Sequence, residues 1–264
     1  MVYSTDGLVL RETPVAEHDK LLTLLTPSEG QISVIAKGAR SSRSKFLSSA
    51  KLFTYANFEI YKKGEYRYLR DASVNEPFFG LSDDIEKMSL ASYLCELATD
   101  ITGEAVSSVD VLRMTLNSLY AISKELYPLY IIKGVYEMRA AGFSGFMPEL
   151  HGCAVCGKKN PPLSMLDVMN GCIYCEECAD KHLKEAEKEM YLHPELSERI
   201  IYCRLSASTL TALRYSLASH TERMFSFDLS DKTEIGYFSH ACETYLLHHL
   251  ERDFGTLNFY KSLF

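Results

Sequence analysis

The chain has 264 residues, 47% of them hydrophobic, and a formal net charge of −7. That is enough apolar residue for one large domain or two modest ones with real cores. No run of about 18 apolar residues occurs, which excludes a helical membrane span.

The opening residues MVYSTDGLVLRETP have no basic segment followed by an apolar one. They read as a first strand, with Gly7-Leu8-Val9-Leu10 as its core, and not as a signal peptide. A cytosolic chain is therefore expected, and its eight cysteines then read as metal ligands or core residues rather than disulfides. Lys20 to Thr26 predicts a second strand, closed by the turn Pro27-Ser28-Glu29-Gly30, and Gln31 to Ala36 a third. Leu52 to Lys62 and Tyr66 to Ala72 predict the fourth and fifth, meeting at the hairpin turn Lys63-Gly64. Five short strands in this space suggest a small closed barrel, either an OB-fold or an SH3-like barrel.

Between the third and fourth strands lies Lys37-Gly38-Ala39-Arg40-Ser41-Ser42-Arg43-Ser44-Lys45, with four cations and no acid. It has little to bury and is expected to be a mobile loop. The wider stretch from Ser33 to Arg70 holds nine basic residues, Lys51 and Lys63 among them, against Glu59 and Glu65. It therefore carries +7 while the rest of the chain carries −14. A local basic patch on an acidic body can attract phosphate, since screening limits repulsion to roughly 10 Å. A merely solvated basic surface is the plainer alternative. One face of the fourth strand would carry Phe53, Tyr55, Tyr61 and Lys63, the other Leu52, Ala56, Phe58 and Ile60. The first face suits base stacking; its aromatics could equally pack under a following helical domain.

From residue 81 the periodicity turns helical. Ser82-Asp83-Asp84 with Glu86 forms an N-terminal signal, and Ile85, Met88, Ala91, Leu94, Cys95 and Ala98 follow at helical spacing. Further helices are predicted over about 110–125, 129–141, 208–218 and 232–252. The fold class is thus α+β, with a barrel over 1–78 and a helical domain over 79–264.

Cys153-Ala-Val-Cys156 and Cys175-Glu-Glu-Cys178 are two CxxC knuckles separated by eighteen residues. This is zinc-ribbon spacing: each turn brings two thiolates to one ion, and two turns complete a tetrahedron. Gly157 and Gly171 let the backbone turn close to the sulfurs. Cys172 is a fifth candidate, since Cys172 with Cys175 is also a CxxC. Cys175 and Cys178 are preferred because they open onto the helical stretch Ala179 to Met190. Cys95, Cys203 and Cys242 read as core, and His151 and His182 as surface neighbours. An iron–sulfur cluster or a site without metal would fit the same spacing. Four thiolates leave no open position, so the role is structural. A zinc deaminase would need H-x-E upstream of P-C-x-x-C; here His193-Pro194-Glu195 lies downstream, and Gly152 and Tyr174 precede the knuckles. No P-loop, dinucleotide-binding glycine motif, G-x-S-x-G or H-E-x-x-H is present, so no enzyme is expected.

Gly7-Leu8-Val9-Leu10-Arg11, Gly30 through Arg40, Glu76-Pro77-Phe78, Glu149 through Gly157, and Cys175 through Ala179 are five marked stretches. Together they resemble the RecO family of recombination mediators. The closing Leu257 to Leu263 also resembles that family, so the likeness spans the chain. Gly171-Cys172 departs from the Gly-Gly pair common there, and the segment between Gly142 and Pro148 is slightly longer. The resemblance implies an OB barrel followed by a helical domain carrying the zinc ribbon. It implies binding of single- and double-stranded DNA, strand annealing and cooperation with RecR. It further implies help in loading RecA onto DNA coated by single-strand-binding protein (SSB), whose acidic tail docks on the helical domain. Lys37, Arg40, Arg43, Lys45, Lys51 and Lys63 would neutralise phosphates, and Phe53, Tyr55 or Tyr61 would stack bases. A zinc-stabilised protein adaptor and an RNA-binding OB module are the alternative functions.

Overall fold

The computed structural model describes residues 1–192 and 200–264, with side chains described up to 186 and from 200. The H-x-E match at His193-Pro194-Glu195 lies outside the described residues. Packing divides the chain into two compact units, Met1–Leu129 with Phe254–Phe264, and Tyr130–Asp253.

The first unit contains strands β1 (Val2–Pro14), β2 (Lys20–Thr26), β3 (Gly30–Ala36), β4 (Tyr55–Lys63) and β5 (Tyr66–Glu76). They close into a barrel in the order β1-β2-β3-β5-β4, with β3 parallel to β5 and the other pairs antiparallel. This is OB-fold connectivity, and it decides against the SH3-like alternative. β1 is much longer than its apolar core suggests, because its two halves have different partners. Val2–Leu8 pairs with β4 and Leu8–Pro14 with β2, across a bulge between Val9 and Arg11. Such a bulge lets one strand turn the corner of a barrel. Val9, Leu22, Leu24, Ile32, Val34, Ala56, Phe58, Ile60 and Leu69 fill the interior.

Helices α1 (Ile85–Ile101), α2 (Val109–Ser123) and α7 (Gly255–Lys261) belong to the same unit. Asp84 caps α1, accepting from the backbone N–H groups of Glu86 and Lys87, which removes two otherwise orphaned donors. Packing thus groups these helices with the barrel, although secondary structure changes near residue 78. The tie is backbone to backbone: Gln31 N donates to Gly103 O at 3.2 Å, and Ala105 N to Glu29 O at 2.9 Å.

The second unit contains α3 (Leu129–Phe143), β6 (Glu149–Cys153), β7 (Leu163–Asp167), β8 (Cys172–Cys175), α4 (Glu176–Leu192), β9 (Tyr202–Ser206), α5 (Ala207–Ala218) and α6 (Lys232–Leu250). Its four strands form one sheet in the order β6-β8-β7-β9. Between α3 and α6, the buried Lys133 reaches Glu137 Oε1 at 2.9 Å and Glu243 Oε2 at 2.7 Å. Burial pushes the Lys133 ammonium down, but the two carboxylates outweigh it and hold its pKa above the usual lysine value. No described helix is long and apolar enough to cross a membrane.

Candidate metal centre and nucleic-acid interface

The sheet of the second unit positions the cysteines. Cys153 ends β6, Cys175 ends β8, and Cys178 lies in the first turn of α4, while Cys156 sits in the turn after β6. The Sγ atoms of Cys153, Cys156, Cys175 and Cys178 all lie within 4.8 Å of one another, and this set could hold a metal ion. Cys156 and Cys175 are 3.7 Å apart; a tetrahedron with metal–sulfur bonds of about 2.3 Å places its sulfurs about 3.8 Å apart. Cys172 is outside the set: one face of β8 carries Cys172 and Tyr174, and the other carries Ile173 and Cys175.

The electrostatics of the bare thiols favour a cation. Burial pushes the Cys153 thiol up, but the backbone N–H groups of Cys156, Cys175 and Val155 aim at its sulfur and bring it down to about 6. The neighbouring sulfur of Cys175 and then burial push Cys178 up to about 12. One thiolate thus resists the next, and four can coexist only around positive charge. Gly157 and Gly171 have φ of +71° and +62°, as their role beside the knuckles requires. At Gly171 a Cβ would lie 2.8 Å from the Tyr245 hydroxyl.

Arg214 on α5 holds the first knuckle in place, a role the sequence does not signal. Its Nε donates to Leu150 O at 2.7 Å, Nη1 to Asn160 Oδ1 at 2.9 Å, and Nη2 to His151 O at 3.2 Å and Lys159 O at 2.6 Å. The planar guanidinium suits such a fork, because one rigid group satisfies four acceptors. Neither flanking histidine belongs to the set. His151 Nδ1 pairs with Glu149 at 2.6 Å, and His182 Nδ1 lies 2.6 Å from the Tyr202 hydroxyl.

On the barrel, the connection between β3 and β4 exposes Lys37, Arg40, Arg43, Lys45 and Lys51, and contains no acid. It departs from the expected mobile loop. Successive turns join Ala39 N to Ala36 O, Ser44 N to Ser41 O and Ala50 N to Phe46 O. Ala39, Phe46 and Ala50 enter the barrel core. Three apolar residues scattered among serines and cations give no periodicity, so their burial is visible only in three dimensions. Arg40 Nη1 donates to Ala16 O at 2.9 Å, and Lys45 Nζ to Arg70 O at 2.7 Å and to Asp71 at 3.3 Å. Lys37 Nζ stands 5.1 Å from the Tyr68 ring centroid.

The expected aromatic face needs one correction. Phe53 is only 5% exposed and lies before β4, at φ +66°. Its N–H donates to Val9 O at 3.0 Å, which turns the chain into the strand and takes the ring off the outer face. Tyr55 is half-buried, and Tyr61 and Lys63 are exposed on that face. Ala56, Phe58 and Ile60 are buried on the opposite face, as their alternation predicts. Tyr66, 63% exposed, and the half-buried Tyr68 also lie on this outer side. Their alternation with Arg67 and Leu69 along β5 is the sequence signal that places both tyrosines on one face.

A closed five-stranded barrel of OB connectivity, followed by helices and by a sheet whose four cysteines could hold a metal ion, defines the fold class of the chain. Residues 1–78 match the family model described as recombination protein O N terminal, and residues 82–258 match recombination protein O C terminal. A DNA repair protein RecO from Acetivibrio thermocellus is 27% identical over 262 residues, covering 98% of this chain and 96% of the relative. Another from Thermoanaerobacter sp. is 29% identical over 266 residues, covering 98% and 97%. A third, from Caldicellulosiruptor bescii, is 31% identical over 186 residues, covering 70% and 76%. The chain belongs to the RecO family of DNA repair proteins.

Proposed function

We propose that this chain binds single- and double-stranded DNA, anneals complementary strands and, with RecR, helps load RecA onto SSB-coated DNA, working in the cytoplasm at the nucleoid. The observation that carries the reading is the connection from Lys37 to Lys51, which exposes five cations and no acid on an OB barrel. Lys37, Arg40, Arg43, Lys45, Lys51 and Lys63 would neutralise phosphates and release counterions, and Tyr55 and Tyr61 would contact bases. Holding two strands with shielded charge lowers the repulsion that opposes their pairing. The acidic tail of SSB would dock on the helical domain.

The four-cysteine set would hold zinc as a structural ion, with Cys153, Cys156, Cys175 and Cys178 as ligands. Zinc would neutralise the thiolates and join β6, β8 and α4 without offering a reactive position. Residues 1–78 would then handle DNA, and residues 79–264 would supply the metal-held scaffold and protein contacts. No step in this reading requires ATP hydrolysis by the chain.

The test is annealing of two complementary fluorescent oligonucleotides without ATP, at two salt concentrations. Acceleration above the spontaneous rate that weakens at higher salt is expected. No acceleration, with no DNA binding at low salt, would refute the reading. One zinc per chain by atomic absorption, with no iron–sulfur colour, is expected of the metal centre.

A further inference from the structure

OB barrels bind oligonucleotides on the face of strands 2 and 3 and the loops beside it. In this chain that face is poorly suited to bases. β2 and β3 contain no aromatic residue. The connection from Val15 to Asp19 carries the acids Glu17 and Asp19. Lys20, at the start of β2, is committed to Glu12 at 2.5 Å.

The aromatic residues lie around the barrel on β4 and β5. Tyr61 and Tyr68 are directly opposite each other across the two strands, as are Lys63 and Tyr66. Tyr61 and Tyr66 are exposed, at 42% and 63%. The Tyr66 and Tyr68 rings are 6.5 Å apart and tilted by 41°, so they present separate faces. A shallow groove of about 430 Å³ is lined by Val2, Tyr61, Tyr68, Leu69 and Arg70. Cations frame it: Lys37 stands over Tyr68, Lys63 shares the outer face of β4 with Tyr61, and Lys45 reaches the carbonyl of Arg70. The acids on this side are Glu59, Glu65 and Asp71. Glu59 pairs with Arg70 and Asp71 with Lys45, both in exposed ion pairs. Such pairs are weak and can exchange for phosphate.

We propose that the outer face of β4 and β5 is a base-stacking platform for single-stranded DNA, in which Tyr66 and Tyr68 join Tyr61 and Lys37 holds the passing backbone. The proposal rests on the reading of this chain as a DNA-binding protein, and shifts the base contacts from strands β2 and β3 to the outer face of the strands flanking the β4–β5 turn. Stacking on tyrosine needs only the flat face of a base, so the platform accepts any sequence. Phosphates would lie along Lys37 and Lys63. One strand would be held with its pairing edges unused, the state that annealing needs.

The experiment compares oligothymidylate of about 15 nucleotides with an abasic strand of the same length, a span within one barrel's reach. Affinity is measured over a salt series for the full chain and its variants. The unsubstituted protein should prefer the oligothymidylate by about tenfold or more, the scale of one or two stacked bases. Y66A/Y68A should lose most of that preference while keeping the salt slope, because no charge is removed. Y66F/Y68F should keep both, since the ring face and not the hydroxyl makes the contact. A thermal melt confirms that each variant is folded. Undiminished preference in Y66A/Y68A, or its loss in Y66F/Y68F, overturns the platform. If R40E/R43E then still flattens the salt slope, DNA binding stands and only the platform falls. If the unsubstituted protein binds neither strand at low salt, both readings fall.

Discussion

The two units differ in how they place positive charge: the second buries part of it, and the barrel gathers its own in one exposed connection without acids. In the second unit three cations turn inward and are bound to protein, while others, Lys158, Lys181, Arg204 and Lys232 among them, are exposed. Lys133 lies between Glu137 and Glu243, Arg214 grips four acceptors around the first knuckle, and Arg139 Nη1 donates to Ser216 O and Ser219 O. On the barrel Lys37, Arg43, Lys51, Lys62 and Lys63 all face solvent. A net charge of −7 hides this difference. Buried cations do little for a distant phosphate, because neighbouring carboxylates and carbonyls answer them locally. Exposed ones set the field that an approaching strand meets. The chain can therefore be acidic overall and still offer a phosphate-binding surface.

The sharpest way to break this contrast is at the metal centre. Cys153→Ser or Cys178→Ser should abolish stoichiometric metal and unfold the sheet of the second unit, since structural zinc sites contribute about 10 kcal/mol or more to folding. Metal content and a chelator-dependent thermal melt are the measurements. If the unfolding curve does not move on chelation, the centre does not hold the fold.

Lys133→Ala should be next in size. It leaves the buried Glu137 carboxylate without its cation, a change that costs about 3–5 kcal/mol. Urea unfolding checks it, and Lys133→Met paired with Glu137→Leu should recover much of the loss. Charge reversal on the barrel should leave stability nearly unchanged and act on binding instead. R40E/R43E should weaken binding to every DNA sequence alike and lower the log–log salt slope by about 2, from about 0.9 for each lost phosphate contact. A sequence-dependent loss would mean that these residues read bases.

The smallest effect should come from Glu234 in the first turn of α6. Hydrogen bonds from Ser206, Thr209 and Ser208 hold its carboxyl below the usual carboxylate range. A depressed folded pKa contributes stability above the unfolded value near 4.5 and loses it as pH falls through the folded value. Stability measured from pH 6 down to 3 should therefore fall less steeply in Glu234→Gln.

Much of this arrangement was legible along the chain. The four cysteines could be chosen because CxxC is a local turn motif, and turn geometry brings its two sulfurs together wherever the turn forms. Helices α1, α2, α3, α5 and α6 followed from periodicity and caps, which act within a few residues. β6, β7, β8 and β9 were not legible. They are four or five residues long, and β9 reaches the sheet only by pairing with β7, about 40 residues earlier. Arg214 gave no signal for the same reason, since its acceptors lie more than fifty residues away.

The sequence alone determined the barrel's strand count, its inward and outward faces, the cation-rich connection and the spacing of the knuckles. Each is a property of neighbouring residues. The tertiary structure decided the strand order, the removal of Phe53 from the outer face, the anchoring of the connection by Ala39, Phe46 and Ala50, and the meeting of Tyr61 with Tyr68. Each of these depends on which distant segment supplies the partner. Patterning specifies what a residue needs, but only closure of the chain specifies what meets that need.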